Sequence, residues 1–376
     1  MLIDRYITRA QLGAFLIVFV SLAGLTFVVD AFTNIEDFIS HGRKAGGLWR
    51  VLATYYGCRT IQFFDATSAV VTLASAMFAL SWLERHNEIT ALLAAGVTRW
   101  RIARPVLVFA AVVAGLAAVN REVVIPQIRH TFARNAQDLE GNSQADFESR
   151  YDHRTEILFR GRSAQAAAGR IELPSLLLPP PLAGLGPQID AAEAFWRPAS
   201  DGRPSGYLLA GVTEPKGIDD TPTASIGGEA VVLTRRDHNW LRDGECFVVS
   251  DVSFEQMIGS SNWSQYSSTV ELIRAGMNPS LGVSADVPLR VHARLVSPLV
   301  DLTLTLLGLP LVLGPIRRGI FNAVGLCIGL TATFFLVVLA CHSMTIAYIL
   351  SPSMGAWMPL MILATLAAWR SQPMWQ

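Results

Sequence analysis

Six apolar stretches divide this chain into two groups of three, and that spacing restricts its fold more than any other feature. The first group runs near Leu12–Val29, Ile61–Leu83 and Pro105–Val119; the second runs near Leu295–Leu313, Ala323–Cys341 and Ser353–Trp369. Each is close to the roughly 20 residues of helix that cross a bilayer's hydrocarbon core. Lipid offers no partner to backbone N–H and C=O groups, so these stretches are expected to be helices. The expected architecture is therefore membrane α-helical, with six transmembrane helices in a 3+3 order. A polar extracytoplasmic domain is inserted between the third and fourth spans. The expected boundaries are residues 1–125, 126–290 and 291–376.

Charge divides along the same lines. Residues 121–293 hold 16 Arg plus Lys against 22 Asp plus Glu, a net of −6, and the rest of the chain carries +6. An acidic soluble domain and a basic membrane part argue against nucleic-acid binding, which needs a basic patch. Arg5, Arg9, Arg85, Arg99, Arg101, Arg104, Arg317, Arg318 and Arg370 all fall on one side if the N-terminus is cytoplasmic. The loop at 34–60 is the exception, with Arg43, Lys44, Arg50 and Arg59. The positive-inside bias then places both termini in the cytoplasm and the large domain outside. The first span runs on into Asp30-Ala31-Phe32-Thr33-Asn34 with no small-residue cleavage site, so it reads as an uncleaved signal anchor.

The soluble middle carries short alternating runs broken by Gly, Pro, Asp and Asn: 156–160, 206–210, 229–234 and 246–250. Such runs predict an antiparallel all-β sandwich or partial barrel. Residues 127–140 are more helical and extend the third span. Leu173–Gly186, with Pro174, Pro179, Pro180 and Pro181, reads as an exposed loop, with Leu176–Leu178 dipping into lipid as the sharper alternative. No G-x-S-x-G or H-E-x-x-H motif is present, and His130, His153 and His238 are far apart. No catalytic residue and no metal site is expected. Cys58, Cys246, Cys327 and Cys341 lack C-x-x-C spacing. Only Cys58 and Cys246 have positions that would let them meet outside the membrane, and free thiols are the simpler reading.

The segment between the second and third spans, near 84–97, predicts a short amphipathic helix. Asn87 is placed to cap it, Glu88 suits its N-terminal end and Gly96 its stop. Ile89, Leu92, Leu93 and Gly96 fall on one face. The residues alone leave two readings: an interfacial connector, or an element that docks into a soluble partner and transmits motion.

The tract N-E-I-T-A-L-L-A-A-G at 87–96 resembles the signature of the lipopolysaccharide-export permeases of the LptF/LptG type. Further similarity lies in N-R-E-V-V-I-P at 120–126, R-L-V-S-P-L at 294–299, L-G-L-P-L at 307–311, R-R-G at 317–319 and A-W-M-P at 356–359. The chain departs from the family pattern at Phe64-Asp65-Ala66-Thr67, where proline is common near the start of the second span. The resemblance implies that Glu88, Ile89, Leu92, Leu93 and Gly96 form the helix that couples to a cytoplasmic ATPase. It also implies that the inserted domain is β-jellyroll-like. The partners implied are an LptB-like ABC ATPase dimer, a second six-span permease, a periplasmic β-jellyroll bridge protein and lipopolysaccharide or a similar lipid. The inner membrane is the implied location.

Removing a lipid from a bilayer costs about 0.8 kcal/mol per buried methylene, so a multi-acyl lipid needs an energy source. The only lysines are Lys44 and Lys216, and neither sits in G-x-x-x-x-G-K-[ST]. ATP is thus expected to be used by a partner subunit, with no cofactor bound by this chain. Arg43, Lys44, Arg50 and Arg59 lie where lipid phosphates would sit, with solvated surface charges as the alternative. Asp65 and Asp301 fall inside spans, where ionisable groups call for a functional hypothesis. An intramembrane aspartyl protease is one reading of that pair, and a polar contact between spans is the other. A mechanotransmitting ABC subunit for another envelope lipid or lipoprotein is the remaining alternative, disfavoured by the 3+3 layout.

Overall fold

The computed structural model describes residues 2–44, 47–132, 145–165, 168–200, 202–258, 261–282, 286–313 and 320–372. Helices α1 (Leu2–Thr33), α2 (Ile35–Lys44), α3 (Leu48–Arg85), α4 (Glu88–Ala94) and α5 (Arg99–Val119) come first. A π-helical turn at Asn120–Val124 joins α5 to α6 (Ile125–Phe132). The strands β1 (Ala145–Asp146), β2 (Arg150–Asp152), β3 (Ile157–Arg160), β4 (Ser163–Gln165), β5 (Arg170–Glu172) and β6 (Ser175–Leu177) follow. Next come β7 (Gln188–Arg197), β8 (Gly206–Glu214), β9 (Ala224–Ile226), β10 (Glu229–Thr234) and β11 (Glu245–Val249). Short helices α7 (Phe254–Ile258), α8 (Ser261–Tyr266) and α9 (Thr269–Gly276) precede α10 (Asp286–Leu313), α11 (Ile320–Ile346) and α12 (Pro352–Ser371). The chain divides into two compact units, residues 1–132 with 285–376, and residues 133–284.

Among the described residues, six helices are long and apolar enough to cross a membrane: α1, α3, α5 with its continuation, α10, α11 and α12. All six coincide with the apolar stretches, and each extends past them at one or both ends. Thr98 opens α5 by accepting the Arg101 N–H, and Ser351 opens α12 just ahead of Pro352. The core of this unit joins Ile7, Leu73, Leu80, Ile102, Leu304 and Leu307. Gly308 of α10 lies so close to Leu73 that an added Cβ would collide with that side chain. Small residues at such contacts let membrane helices approach. The expected loop at 34–60 is instead mostly helix, because α2 packs Phe38 against Tyr55 and Tyr56 of an α3 that already begins at Leu48.

The inserted unit is an antiparallel β domain. Its strands run β1-β4-β5-β7-β8-β11-β10-β9, and β2, β3 and β6 form a branch that joins at β7. The long strand β7 pairs with β8 along one edge. On its other edge it meets β6 through Gln188–Asp190 and then β5 through Glu193–Phe195. Side chains alternate between two apolar layers, as the strand period of two requires. Val232, Cys246 and Val248 enter the larger core with Ile157, Phe159 and Tyr207; Leu233, Phe247 and Val249 enter a smaller one with Leu241.

Leu173–Gly186 is not an exposed loop. Ser175–Leu177 forms β6 between β3 and β7, and a 3-10 turn at Pro180–Leu185 follows. Leu176, Leu182 and Leu185 are buried in the larger core, so Leu176 does not face lipid. The prolines flank the strand rather than interrupt it, which leaves its ladder intact. The helical expectation for residues 127–140 holds through Phe132; residues 133–144 lie outside the described ones. All four cysteines are free. Asp152, almost fully buried, accepts from Ser250 Oγ at 2.6 Å and from the backbone N–H groups of Arg154 and Thr155. Its charge is thereby fully hydrogen-bonded, and it ties β2 to the end of β11.

Candidate functional site

The short helix α4 is only two turns long and would not hold together alone. Packing stabilises it. Ile89 is buried, and the half-buried Leu92 and Leu93 lie against the unit's own core with Val97 and Trp100. The apolar face therefore points into the core of this unit. The outward surface consists of Asn87, Thr90, Ala91, Ala94, Ala95 and Gly96. Asn87 does not cap the helix through its side chain; it adopts the left-handed conformation with φ of 60°, which asparagine tolerates. Gly96 ends the helix at φ +83°, where a side chain would be strained.

Two polar contacts hold the start of α1, one to this helix and one to α5. Tyr6 donates to Glu88 Oε2 at 2.8 Å, and Arg101 lies 3.5 Å from Asp4. Neither contact is evident from sequence, since Tyr6 and Glu88 lie 82 residues apart. Small side chains on the outer face of α4 allow close approach of another surface, while its apolar face packs into the core that it shares with α1, α3 and α5.

A second polar group sits where α3, the π turn and α10 meet. Arg121 donates Nε to both Asp65 oxygens, at 3.0 and 3.2 Å, and Nη1 to Ser297 Oγ at 3.0 Å. Asn120 donates to the Ile61 carbonyl at 3.1 Å, and Arg294 lies 3.9 Å from Glu122. The π turn rotates Asn120 and Arg121 toward neighbouring helices, a common use of such insertions. Asp301 lies one turn beyond Ser297 on α10 and is half-buried. Because Asp65 is neutralised by Arg121, the two aspartates are not a carboxylate pair sharing a proton, as acid-protease chemistry requires.

Of the basic residues at 43–59, Arg50 and Arg59 do not share one face of α3. Arg50 is exposed on α3, and Arg59, nine residues later, projects from the opposite side of that helix, since each residue turns about 100°. Arg59 is held by Tyr55 Oη at 3.1 Å and Gln62 Oε1 at 3.2 Å, with its guanidinium over the Tyr55 ring. Arg43 and Lys44 end α2; their side chains lie outside the described ones. Nearby, Tyr56 donates to Asp30 at 3.0 Å and joins an aromatic group with Phe27, Phe38 and Tyr55. Gln11, in the middle of α1, is fully buried with neither amide atom hydrogen-bonded. Among the described residues, no group of His, Cys, Asp and Glu side chains is arranged to hold a metal ion.

The family described as lipopolysaccharide export system permease LptF/LptG matches residues 5–159 and 260–373. The chain belongs to the LptF/LptG family. No curated protein matches it. The LptF/LptG match takes in all six spans, α4 and the first three strands; β4 to β11 lie in the interval between its two parts. As a member of that family the protein is a multi-pass lipopolysaccharide-export permease, a transport subunit of an ABC-type export system.

Proposed function

We propose that this permease subunit extracts lipopolysaccharide from the inner membrane and passes it to a periplasmic β-jellyroll bridge protein. A separate cytoplasmic ABC ATPase dimer of the LptB kind powers it. Both termini lie in the cytoplasm, the β domain lies in the periplasm, and a second six-span permease completes the transport path. No cofactor binds this chain, since ATP is consumed by the partner.

One observation carries the reading. The segment Asn87–Gly96, inside the family match, is anchored by Ile89, Leu92 and Leu93 to the spans while it presents small and polar residues outward. Glu88 sits at the edge of that surface, bound by Tyr6. An ATPase groove that grips this face moves α4, and α4 moves the cytoplasmic ends of the spans it packs against. Lipid entering sideways between the first and later spans is displaced when they close. Closure must offset about 0.8 kcal/mol for each methylene withdrawn from lipid, which sets the scale of the work.

Affinity purification of the tagged permease from its own cells tests this. The expected result is co-purification of an ABC ATPase with the wild-type chain and its loss with Glu88→Lys. Undiminished ATPase recovery with that variant would remove Glu88 from the coupling surface.

A further inference from the structure

Between α3, α5 and α10, inside the membrane unit, lies a small recess with room for about one water-sized particle. Its oxygen-bearing lining comes from Ser68 and Thr72 on α3 and from Asp301 and Thr305 on α10, while Ala110 and Ala114 of α5 keep the third wall small. Two of the hydroxyls already use their hydrogens. Thr72 donates to the Ser68 carbonyl at 2.6 Å and Thr305 to the Asp301 carbonyl at 3.4 Å. What they offer the recess is lone pairs.

The remaining two groups make no hydrogen bond among the described residues. Ser68 is 3% exposed, and its hydroxyl makes no hydrogen bond among the described residues. The Asp301 carboxylate has neither a hydrogen bond nor an ion pair there; Arg121, whose hydrogen bonds go to Asp65 and Ser297, acts on it only through its charge. A carboxylate in an oxygen-lined space inside a membrane domain is costly and calls for a functional reading. Hard oxygen donors select hard cations. One carboxylate balances one positive charge, whereas a divalent ion would leave a net charge buried. The available space excludes an organic cation.

We propose that this recess is a binding site for a single small monovalent cation, with Na⁺ the best match. The ion is coordinated by Asp301 with Ser68, Thr72 and Thr305 and links α3 to α10. Occupancy neutralises Asp301 and fixes the packing of these two helices.

The test uses the full-length purified permease in lipid nanodiscs, with no ATPase and no lipopolysaccharide, so its failure leaves the export reading untouched. Radioactive Na⁺ binding and the thermal unfolding midpoint are measured in NaCl and in choline chloride of equal ionic strength. The expected result is saturable binding of one Na⁺ per chain and a higher midpoint in Na⁺ than in choline. Outer-shell changes at metal sites weaken affinity about 10–100-fold, so loss of a direct ligand in Ser68→Ala should weaken it at least about tenfold. Asp301→Asn should abolish it. If Asp301→Asn does not fold, Ser68→Ala decides the matter. Equal midpoints in the two salts with no saturable binding would show that the recess holds water only and overturn the proposal. Unchanged Na⁺ affinity in Ser68→Ala would also overturn it.

Discussion

Tyr6 donates its phenolic hydrogen to Glu88 Oε2 across 2.8 Å, tying the start of the first span to the helix between the second and third. Tyr6 is 53% exposed, so water competes for the bond and it contributes little to stability. Its value lies in orientation. The Glu88 carboxylate is held beside α1, and in the proposed coupling movement of α4 is passed to that span.

Replacing Tyr6 by Phe removes this bond and leaves the ring in place. ATPase binding should weaken by no more than about fivefold. Lipid extracted per ATP hydrolysed should fall further than that in reconstituted complexes. Equal loss of binding and transport would mean that Tyr6 only supports docking.

The pair formed by Asp65 and Arg121 predicts a non-additive pattern. Both side chains are mostly buried, at 20% and 23% exposure. Removing one partner leaves an uncompensated charge, so Arg121→Ala or Asp65→Ala alone should cost roughly 3 kcal/mol. The double variant should cost less than either single one. Thermal unfolding of the four proteins in detergent forms the cycle that measures it, and simple additivity would count against a direct pair.

Gln11 is buried in α1 without a hydrogen bond to either amide atom. Gln11→Leu has nearly the same shape and no polar atoms to desolvate. It should raise stability by about 1–3 kcal/mol, read as a higher unfolding midpoint. A lower midpoint would show that the amide has a partner in the assembled protein.

Cys246 gives the β domain a pH dependence. Burial pushes its thiol up to about 12, with the Asp219 charge as a lesser cause. The folded value exceeds the unfolded one, which is about 8.5. The stabilising effect of the neutral thiol is therefore complete below that unfolded value and is lost as pH rises toward about 12. Cys246→Ala should flatten the alkaline decline in stability, followed by tryptophan fluorescence. At pH 8 Cys246 should resist alkylation in the folded protein, and rapid labelling would contradict its burial.

The six spans were legible because lipid thickness imposes a length and a composition that sequence displays directly. Strands β3, β8, β10 and β11 were legible for a similar reason, since their side chains alternate between apolar layers. The central strand β7 was not. Its Asp190-Ala191-Ala192-Glu193-Ala194 segment has helix-forming composition, and only pairing on both edges makes it a strand. The proline-rich segment misled because Pro174 and Pro179 mark the ends of β6 and not the absence of a strand. At the candidate site, Glu88, Ile89, Leu92, Leu93 and Gly96 were visible as a helical pattern. Which face turned inward was not, because periodicity shows an apolar face and does not say what covers it. The contacts of Tyr6 with Glu88, and of Arg121 with Asp65 and Ser297, join distant parts of the chain and exist only after the helices pack.

In the proposed mechanism a partner ATPase grips the outward face of α4. A photo-crosslinking amino acid at Ala94, on that exposed face, tests it in living cells. Illumination should yield an adduct between the permease and an ABC ATPase, while the same probe at Leu93, packed against the permease core, should yield far less. Absence of any ATPase adduct at Ala94 in a chain that still exports lipid would contradict the claim.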